Sequence, residues 1–419
     1  MNLRGNPFVD VGLAIAANLG NQKSLSDVSD SDLSGAVKIL HSNMSSLMLL
    51  KGVLSAFWVN NPFMGKNAGQ RDKFERYLND LGHEKLAGRS GYCQICGASR
   101  VVGKTDRCWF PLAASADSDP CTLPGLRGKA VCATCLSAAV ILPLGCRFCR
   151  DGPYFVHVAE PDLQVEAVSE GMRAVQAALA TRSDAALRHE TDLSGRLGLL
   201  EIVSGSILWD HTQPGHMTRI PRSGATILSF NNRGTKPSFN ELRLPAQALE
   251  FFAAVLEAGS HEVFLRWVRQ GQKFSEARRR DYIDELCDGV EARRSLAPVL
   301  FTVIKGDRTD GERRILRWED RQVLQIYEDK ALGKKQRFDT LERIAARIKE
   351  MPERYRESFI KRLGNTGSKD RFLELIKVFC RSGRLTITND ELRVIDWGPP
   401  NEVITLLYLL CVAEEKEKS

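Results

Sequence analysis

The sequence predicts an α+β fold: a mixed N-terminal α/β part with a cysteine-rich insert, followed by a C-terminal helical bundle. Three observations carry that expectation. Short apolar runs such as ATILSF (225–230), bounded by Gly, Pro and Asn, read as strands and stop before the last hundred or so residues. Three Cys-x-x-Cys pairs, Cys93/Cys96, Cys132/Cys135 and Cys146/Cys149, fall inside residues 91–150. Toward the C-terminus, Leu341, Ile344, Ala345 and Ile348 recur at the i, i+3, i+4, i+7 spacing of one helix face. The chain therefore divides into residues 1–90, an N-terminal α/β segment, and 91–150, the cysteine insert. Residues 151–310 continue the α/β domain, and 311–419 form a basic helical bundle.

Taken in order, GNPFVDVGLAIAAN (5–18) turns at Gly-Asn-Pro and enters an apolar run, either a strand or a short buried helix. SDVSDSDL (26–33) is rich in N-cap residues, so a helix is expected from about Leu33 toward His41. A second apolar stretch runs from Leu47 to Phe57, WVNNPFMGKNAGQ (58–70) breaks it, and residues 71–81 form a charged helix. After the cysteines, residues 165–179 read as a helix, and residues 199–210 and 225–230 as strands. NNRGTKPSFNELRLP (231–245) reads as a polar loop. Helices follow from Pro245 to Gly259 and through HEVFLRWVRQGQKF and SEARRRDYIDELCDG, with one more strand in residues 296–307. Residues 315–332 return to helix. Asp370 is the expected cap of DRFLELIKVFC, and Asn401 that of a last helix with Val403, Leu406, Leu407 and Leu410 inside.

The cysteines point to metal. Two residues between cysteines let a tight turn direct both sulfurs to one point, and a second such pair completes a tetrahedral sulfur shell. Gly97 after Cys96 suits a turn that needs positive φ. The thirty-five residues between Cys96 and Cys132 exceed a compact finger and must hold a loop, which contains Cys108 and Cys121. One structural Zn2+ on Cys93, Cys96, Cys132 and Cys135 is expected, with Cys146/Cys149 able to replace either pair. A four-Cys shell is closed and argues for scaffolding, not chemistry. A redox dithiol would need a βαβ context that the sequence lacks.

Composition bounds the rest. The chain has 419 residues, 43% of them hydrophobic, and no apolar run near the roughly 20 residues of a membrane span. MNLRGNPFVDVG does not read as a signal peptide, so a cytoplasmic protein with reduced thiols is expected. The net charge is +7, but Leu332–Arg384 alone holds fifteen Lys/Arg against seven Asp/Glu. A basic excess confined to one segment points to a polyanionic partner for that segment. Lys334, Lys335, Arg337, Arg343, Arg347, Lys361, Arg362, Lys369 and Arg371 lie on helices whose apolar faces turn inward, so these cations are expected to face outward.

No HExxH helix, GxxxxGK[ST] loop or GxSxG elbow is present, so the chain is not expected to be an enzyme. His211 and His216 flank a Pro-Gly turn and read as surface residues; Asp281, Asp284 and Glu285 read as a solvated helix face. Two loops suit nucleic acid. Asn60, Asn61, Lys66 and Asn67 offer amides and cations in the first, and Asn231, Asn232, Arg233 and Lys236 in the second. Such groups read base edges and hold phosphate, although ordinary polar turns use the same residues.

Together, GNPFVDVGLAIAA, the pairs CQIC and CATC followed by LPLG, and SFNNRGTKPSFNELRLP resemble the large subunit of type I CRISPR surveillance complexes (Cascade), in the I-B branch. The resemblance covers residues 5–245, and CRFC departs from it. It implies a non-catalytic DNA- and RNA-binding role in antiviral defence. The two loops would read the protospacer-adjacent motif (PAM) in duplex DNA, and the basic helices would line the displaced strand of the R-loop. Implied partners are crRNA, target DNA, the backbone, crRNA-end-capping and small subunits, and a recruited helicase-nuclease. Rival readings are a free-standing zinc-ribbon regulator that binds DNA and a metal-dependent nuclease without a recognisable motif.

Overall fold

The structure, a computed structural model, describes residues 1–49, 56–57, 68–82, 88–102, 130–188, 193–205, 220–231, 238–270, 276–306, 316–366, 368–395 and 400–413. It is α+β and divides into two compact units, Met1–Ala246 and Gln247–Ser419. No helix among the described residues is long and apolar enough to cross a membrane.

In the first unit the opening apolar run is a helix, α1 (Pro7–Leu19). The Asn6 side chain accepts from the Phe8 and Val9 amides at 3.1 and 3.2 Å, and Pro7 occupies the first turn. Every residue from Val9 to Ala17 is buried, so the helix is covered all round and carries no polar stripe to betray its period. Gly12 explains the closeness of its packing. A Cβ there would stand 1.8 Å from the Ala138 carbonyl oxygen, so α1 touches a neighbouring helix backbone directly. Asp10 is buried too, and it accepts from the Arg4 amide and from His157 Nε2, the latter at 3.2 Å.

The next helix, α2 (Asp30–Leu49), starts three residues before the expected Leu33. A reciprocal cap sets that start: the Ser29 amide donates to Asp32 Oδ2 at 2.8 Å and the Asp32 amide to Ser29 Oγ at 3.2 Å. The Ser29 hydroxyl and amide bonds hold the Asp32 carboxyl below its ordinary value. The charged helix expected over 71–81 is α3 (Ala68–Gly82).

A two-stranded ribbon, β1 (Arg89–Ser90) with β2 (Arg100–Val101), carries the first cysteine pair; α4 (Ala133–Val140) begins within the second. Then comes an antiparallel sheet of β3 (Arg147–Cys149), β4 (Gly152–Val158), β5 (Ala225–Asn231) and β6 (Ser238–Leu244), in that order. Val156, Ile227 and Leu242 lie side by side in its register. Helix α5 (Pro161–Thr181) packs on β4 and on α1. Buried Gln164 ties it to β4, accepting from the Val158 amide at 2.7 Å and donating to the Val156 carbonyl at 3.2 Å.

Two expectations for this unit are corrected. Residues 199–205 belong to a helix, α6 (Gly195–Gly205), not a strand. Its Leu199, Leu200, Ile202 and Val203 are all buried, and a helix covered on that many sides has a strand-like sequence. The polar stretch 231–245 contains β6, with Leu242 and Leu244 buried and Arg243 between them exposed.

Apart from one bridge between Leu316 and Ala413, the regular elements among the described residues of the second unit are helices. It contains α7 (Ala246–Glu257), α8 (His261–Gln270), α9 (Glu276–Glu291), α10 (Ala297–Gly306), α11 (Trp318–Ile326), α12 (Lys335–Lys349), α13 (Glu353–Leu363), α14 (Lys369–Arg381), α15 (Asn389–Ile395) and α16 (Pro400–Cys411). The strand expected in residues 296–307 is α10, whose second residue, Pro298, is a helix-start signal. Ser368, not Asp370, caps α14 through the Arg371 amide at 3.4 Å. Pro400 opens α16, so Asn401 lies inside it; Val403, Leu406, Leu407 and Leu410 are buried as their spacing predicts. Between α11 and α12 the chain widens into one π turn (Tyr327–Ala331), which aims the Glu328 side chain inward.

Candidate metal centre

Two chain segments far apart in sequence build the centre. In the first, the Cys93 amide donates to the Ala98 carbonyl at 2.8 Å and the Gly97 amide returns to the Cys93 carbonyl at 2.9 Å. That tight turn needs a left-handed residue, and Gly97 supplies it at φ 75°. The second pair opens α4. Cys132 is its N-cap, and its sulfur accepts from the Cys135 amide at 3.5 Å. Backbone bonds from Gln94 to Ala130 and from Val102 to Val131, both 2.8 Å, clamp the two segments together.

The four sulfurs of Cys93, Cys96, Cys132 and Cys135 lie within 4.8 Å of one another, with Cys96 and Cys132 at 3.6 Å. A zinc–sulfur bond of ~2.3 Å places the sulfurs of a regular tetrahedron about 3.8 Å apart, so the spacing fits this metal. Cys93, Cys132 and Cys135 are buried and Cys96 half-buried, which leaves little room for water. The sulfurs also constrain one another's protons. Hydrogen bonds from the Cys132 and then the Cys135 thiol pull Cys93 far below the ordinary thiol value. Cys132 is pushed up to about 12: its bond with Cys135 works against this, but contact with Cys93 and burial outweigh it. Cys135 is pushed higher still, by Cys132 first. Sulfurs this close hold several negative charges only around a dication, and the amide end of α4 adds a favourable dipole.

The third pair does not join this cluster. Cys146 and Cys149 are buried, the Cys149 thiol donates to the Gly152 carbonyl at 3.4 Å, and burial raises both thiols. They are inert packing residues on the way into β4. Cys108 and Cys121 lie outside the described residues.

The loop residues are only partly visible. Asn60, Asn61, Lys66, Asn67, Asn232, Arg233 and Lys236 lie outside the described residues, as do His211 and His216. Asn231 is described: it closes β5 opposite Ser238, so the strands β5 and β6 bracket the second loop. Asp281, Asp284 and Glu285 lie on α9, where Glu285 is exposed.

The basic residues fall into two groups. Arg337 does not face outward: its side chain is 3% exposed and pairs with Glu328 and, at 3.5 Å, with Glu402. Ser295 Oγ donates to the same Glu328 at 2.6 Å. This correction has a plain cause, since the π turn and α16 each place a carboxylate beside the inner face of α12. Lys334 reaches Glu402 at 3.9 Å, and Arg347 pairs with Glu391, which Arg343 also approaches at 4.0 Å. Lys335, Lys361, Arg362, Lys369 and Arg371 are exposed. Charge counting did not single out Arg354, Tyr355 and Arg384, which the fold brings together. The Arg384 guanidinium stands 3.7 Å from the centre of the Tyr355 ring, and that of Arg354 4.4 Å from it. No local spacing signals this, because Arg384 reaches Tyr355 only through the packing of α13 on α14.

No family model, curated protein or solved structure matches this chain.

Proposed function

We propose that this chain is the non-catalytic large subunit of a type I RNA-guided DNA surveillance complex of the Cascade kind. It reads the protospacer-adjacent motif in duplex DNA and holds the opened strand. The observation that carries this reading is that the three tracts of the resemblance interlock in one core. Phe8 of the opening tract meets Phe230 of SFNNRG edge-on at 5.5 Å, and both meet Phe155. Gly12 of the same tract lies against Ala138, in the helix that CATC opens. The tracts therefore serve a single unit, in which the paired strands β5 and β6 flank the Asn-rich loop in sequence.

The metal centre fits the same division of labour. Zn2+ on Cys93, Cys96, Cys132 and Cys135 supplies folding energy, and a closed four-sulfur shell leaves no position for a substrate. Asn and Arg side chains on the bracketed loop suit the donor and acceptor pattern of the major groove. Exposed cations of the second unit suit the phosphates of a displaced strand. In such systems protein reads a short motif and base pairing with a guide RNA reads the rest. The test is a duplex library with random bases beside a fixed target, presented to the assembled complex. Wild type should enrich one short motif. Asn232→Ala and Arg233→Ala should relax one position each, at about 1–3 kcal/mol. Unchanged enrichment in both variants and in Asn60→Ala/Asn61→Ala would reject the loop assignment.

A further inference from the structure

The cations of the second unit are not equivalent. Three of those on and beside α12 are neutralised internally: Arg337 by Glu328 and Glu402, Arg347 by Glu391, Lys334 by Glu402. Those on α13, on α14 and just after it are different. Arg354, Lys361, Arg362, Arg371, Arg381 and Arg384 are exposed, and among the described residues none of them has an ion pair. Helices α13 and α14 pack against each other, with Phe359 and Phe379 edge-on at 4.9 Å between them. Five of the six cations therefore sit on one packed helix pair, and Arg384 follows three residues after it.

Inside this set, Arg354 and Arg384 share one ring. Arg354 also donates to the Tyr355 hydroxyl. Two guanidiniums on one tyrosine repel each other, and each cation–π contact offsets only part of that at a solvent-exposed site. The ring fixes where both cations stand, while the donors of the Arg384 guanidinium meet no protein acceptor among the described residues. This is a fork pair held ready for an anion, and phosphate fits a guanidinium bidentately. Val378 on α14 refines the choice of anion. It is 43% exposed, the large apolar side chain left open among the described residues of this unit, and lies three residues before Arg381. An apolar side chain among cations suits unpaired bases, whose faces a duplex hides.

We propose that the α13–α14 pair is the seat of single-stranded nucleic acid, with Arg354 and Arg384 holding backbone phosphate and Tyr355 positioning both. The proposal rests on the strand-holding part of the function above and narrows it, moving the binding surface away from α12.

The experiment measures binding of a mixed-sequence single-stranded DNA oligonucleotide to the zinc-loaded full chain across a salt series. Arg354→Gln/Arg384→Gln should weaken binding and lower the salt slope by about 1.4, at roughly 0.7 for each phosphate no longer neutralised. Arg354→Lys/Arg384→Lys keeps both charges and should keep the slope, which separates a role for the charges from damage to the fold. Lys334→Gln/Arg347→Gln, on and beside α12 and already paired with Glu402 and Glu391, should leave the slope nearly unchanged. The proposal is overturned if the Gln pair binds like wild type, or if the α12 pair loses as much as the α13–α14 pair. It is also overturned if wild type takes the matching duplex as tightly as the single strand, or binds neither and captures an acidic protein through this face. Failure of the RNA-guided reading would show elsewhere, as the absence of a co-purifying guide RNA, and would leave this binding result standing.

Discussion

The cysteine centre and the basic helices both concentrate charge-bearing groups, yet they hold them in opposite ways. At the centre, four sulfurs from two distant segments meet within 4.8 Å, a spacing at which all four could hold one metal ion. On α12–α14 the cations part company. Arg337 is buried between two carboxylates, while Arg371 and Arg384, a few turns on, stand in solvent. The difference teaches what sequence spacing can and cannot encode. Two residues between cysteines is itself a geometry, because the turn it allows aims both sulfurs at one point. A surplus of Lys and Arg is only a sum, and the partners that turn one cation inward come from elements far away in the chain.

The sharpest way to break this comparison is to remove the metal. Structural zinc contributes about 10–16 kcal/mol in apparent binding energy to small metal-dependent folds. Chelation or Cys135→Ser should therefore expose the segment around β1, β2 and α4 to proteolysis and abolish bound zinc. Cys146→Ser should leave zinc content at about one ion per chain, because that sulfur lies outside the cluster. Equal zinc loss in both variants would erase the distinction between the pairs.

Next in size is the contrast between inner and outer cations. Arg337→Ala strands the buried Glu328 carboxylate and should cost about 3–5 kcal/mol, read as a lower urea midpoint for the second unit. Arg371→Ala, on an exposed face, should stay within about 0.5 kcal/mol. Similar costs for the two would mean that the inward or outward facing of a cation does not govern these helices.

A smaller effect probes the interlocking core. Gly12→Ala forces α1 away from α4 and should cost about 1–3 kcal/mol, as overpacking does elsewhere. A neutral result would deny the close approach that joins the opening tract to the cysteine helix.

The smallest effect concerns Glu391, which pairs with Arg347 and lies near Arg343 on α12. Burial raises its carboxyl, but bonds from Thr388 and the Arg347 guanidinium outweigh that and hold it below the ordinary value. A depressed carboxyl stabilises the fold above its unfolded pKa, and the contribution disappears as pH falls through the folded value. Glu391→Gln should therefore lose up to about 1 kcal/mol at neutral pH and approach wild type in acid. Melting curves across that pH range check the sign; a difference that grows in acid would contradict it.

Much of the fold and of the metal centre is legible in the sequence, for identifiable reasons. The Cys-x-x-Cys spacing marks the four cysteines that meet while leaving Cys146/Cys149 open as a replacement pair, and Gly97 follows from the turn it must make. The inner face of α12 follows from the spacing of Leu341, Ile344, Ala345 and Ile348, all buried. Where sequence reasoning fails, burial has removed the signal. The middle of helix α6 and the first turn of α10 are largely buried, so Leu199–Val203 and Ala297–Leu300 offer a mostly apolar run without a period. Pro298 near the start of α10 is the available clue. Strand β6 hides behind its own polar residues, since only Leu242 and Leu244 mark its buried face. Arg337 is misplaced by charge counting because Glu328 and Glu402, its partners, carry no mark of their role until the π turn and α16 bring them in.

The claim that matters most is that this chain works as one subunit of an RNA-guided assembly, and the most direct measurement is recovery of the tagged chain from its own cells at native abundance. The account predicts a stoichiometric complex containing several copies of another protein and one short RNA with a constant end and a variable middle. Recovery of the chain as a free zinc-bound protein, with no RNA and no repeated partner, would contradict it.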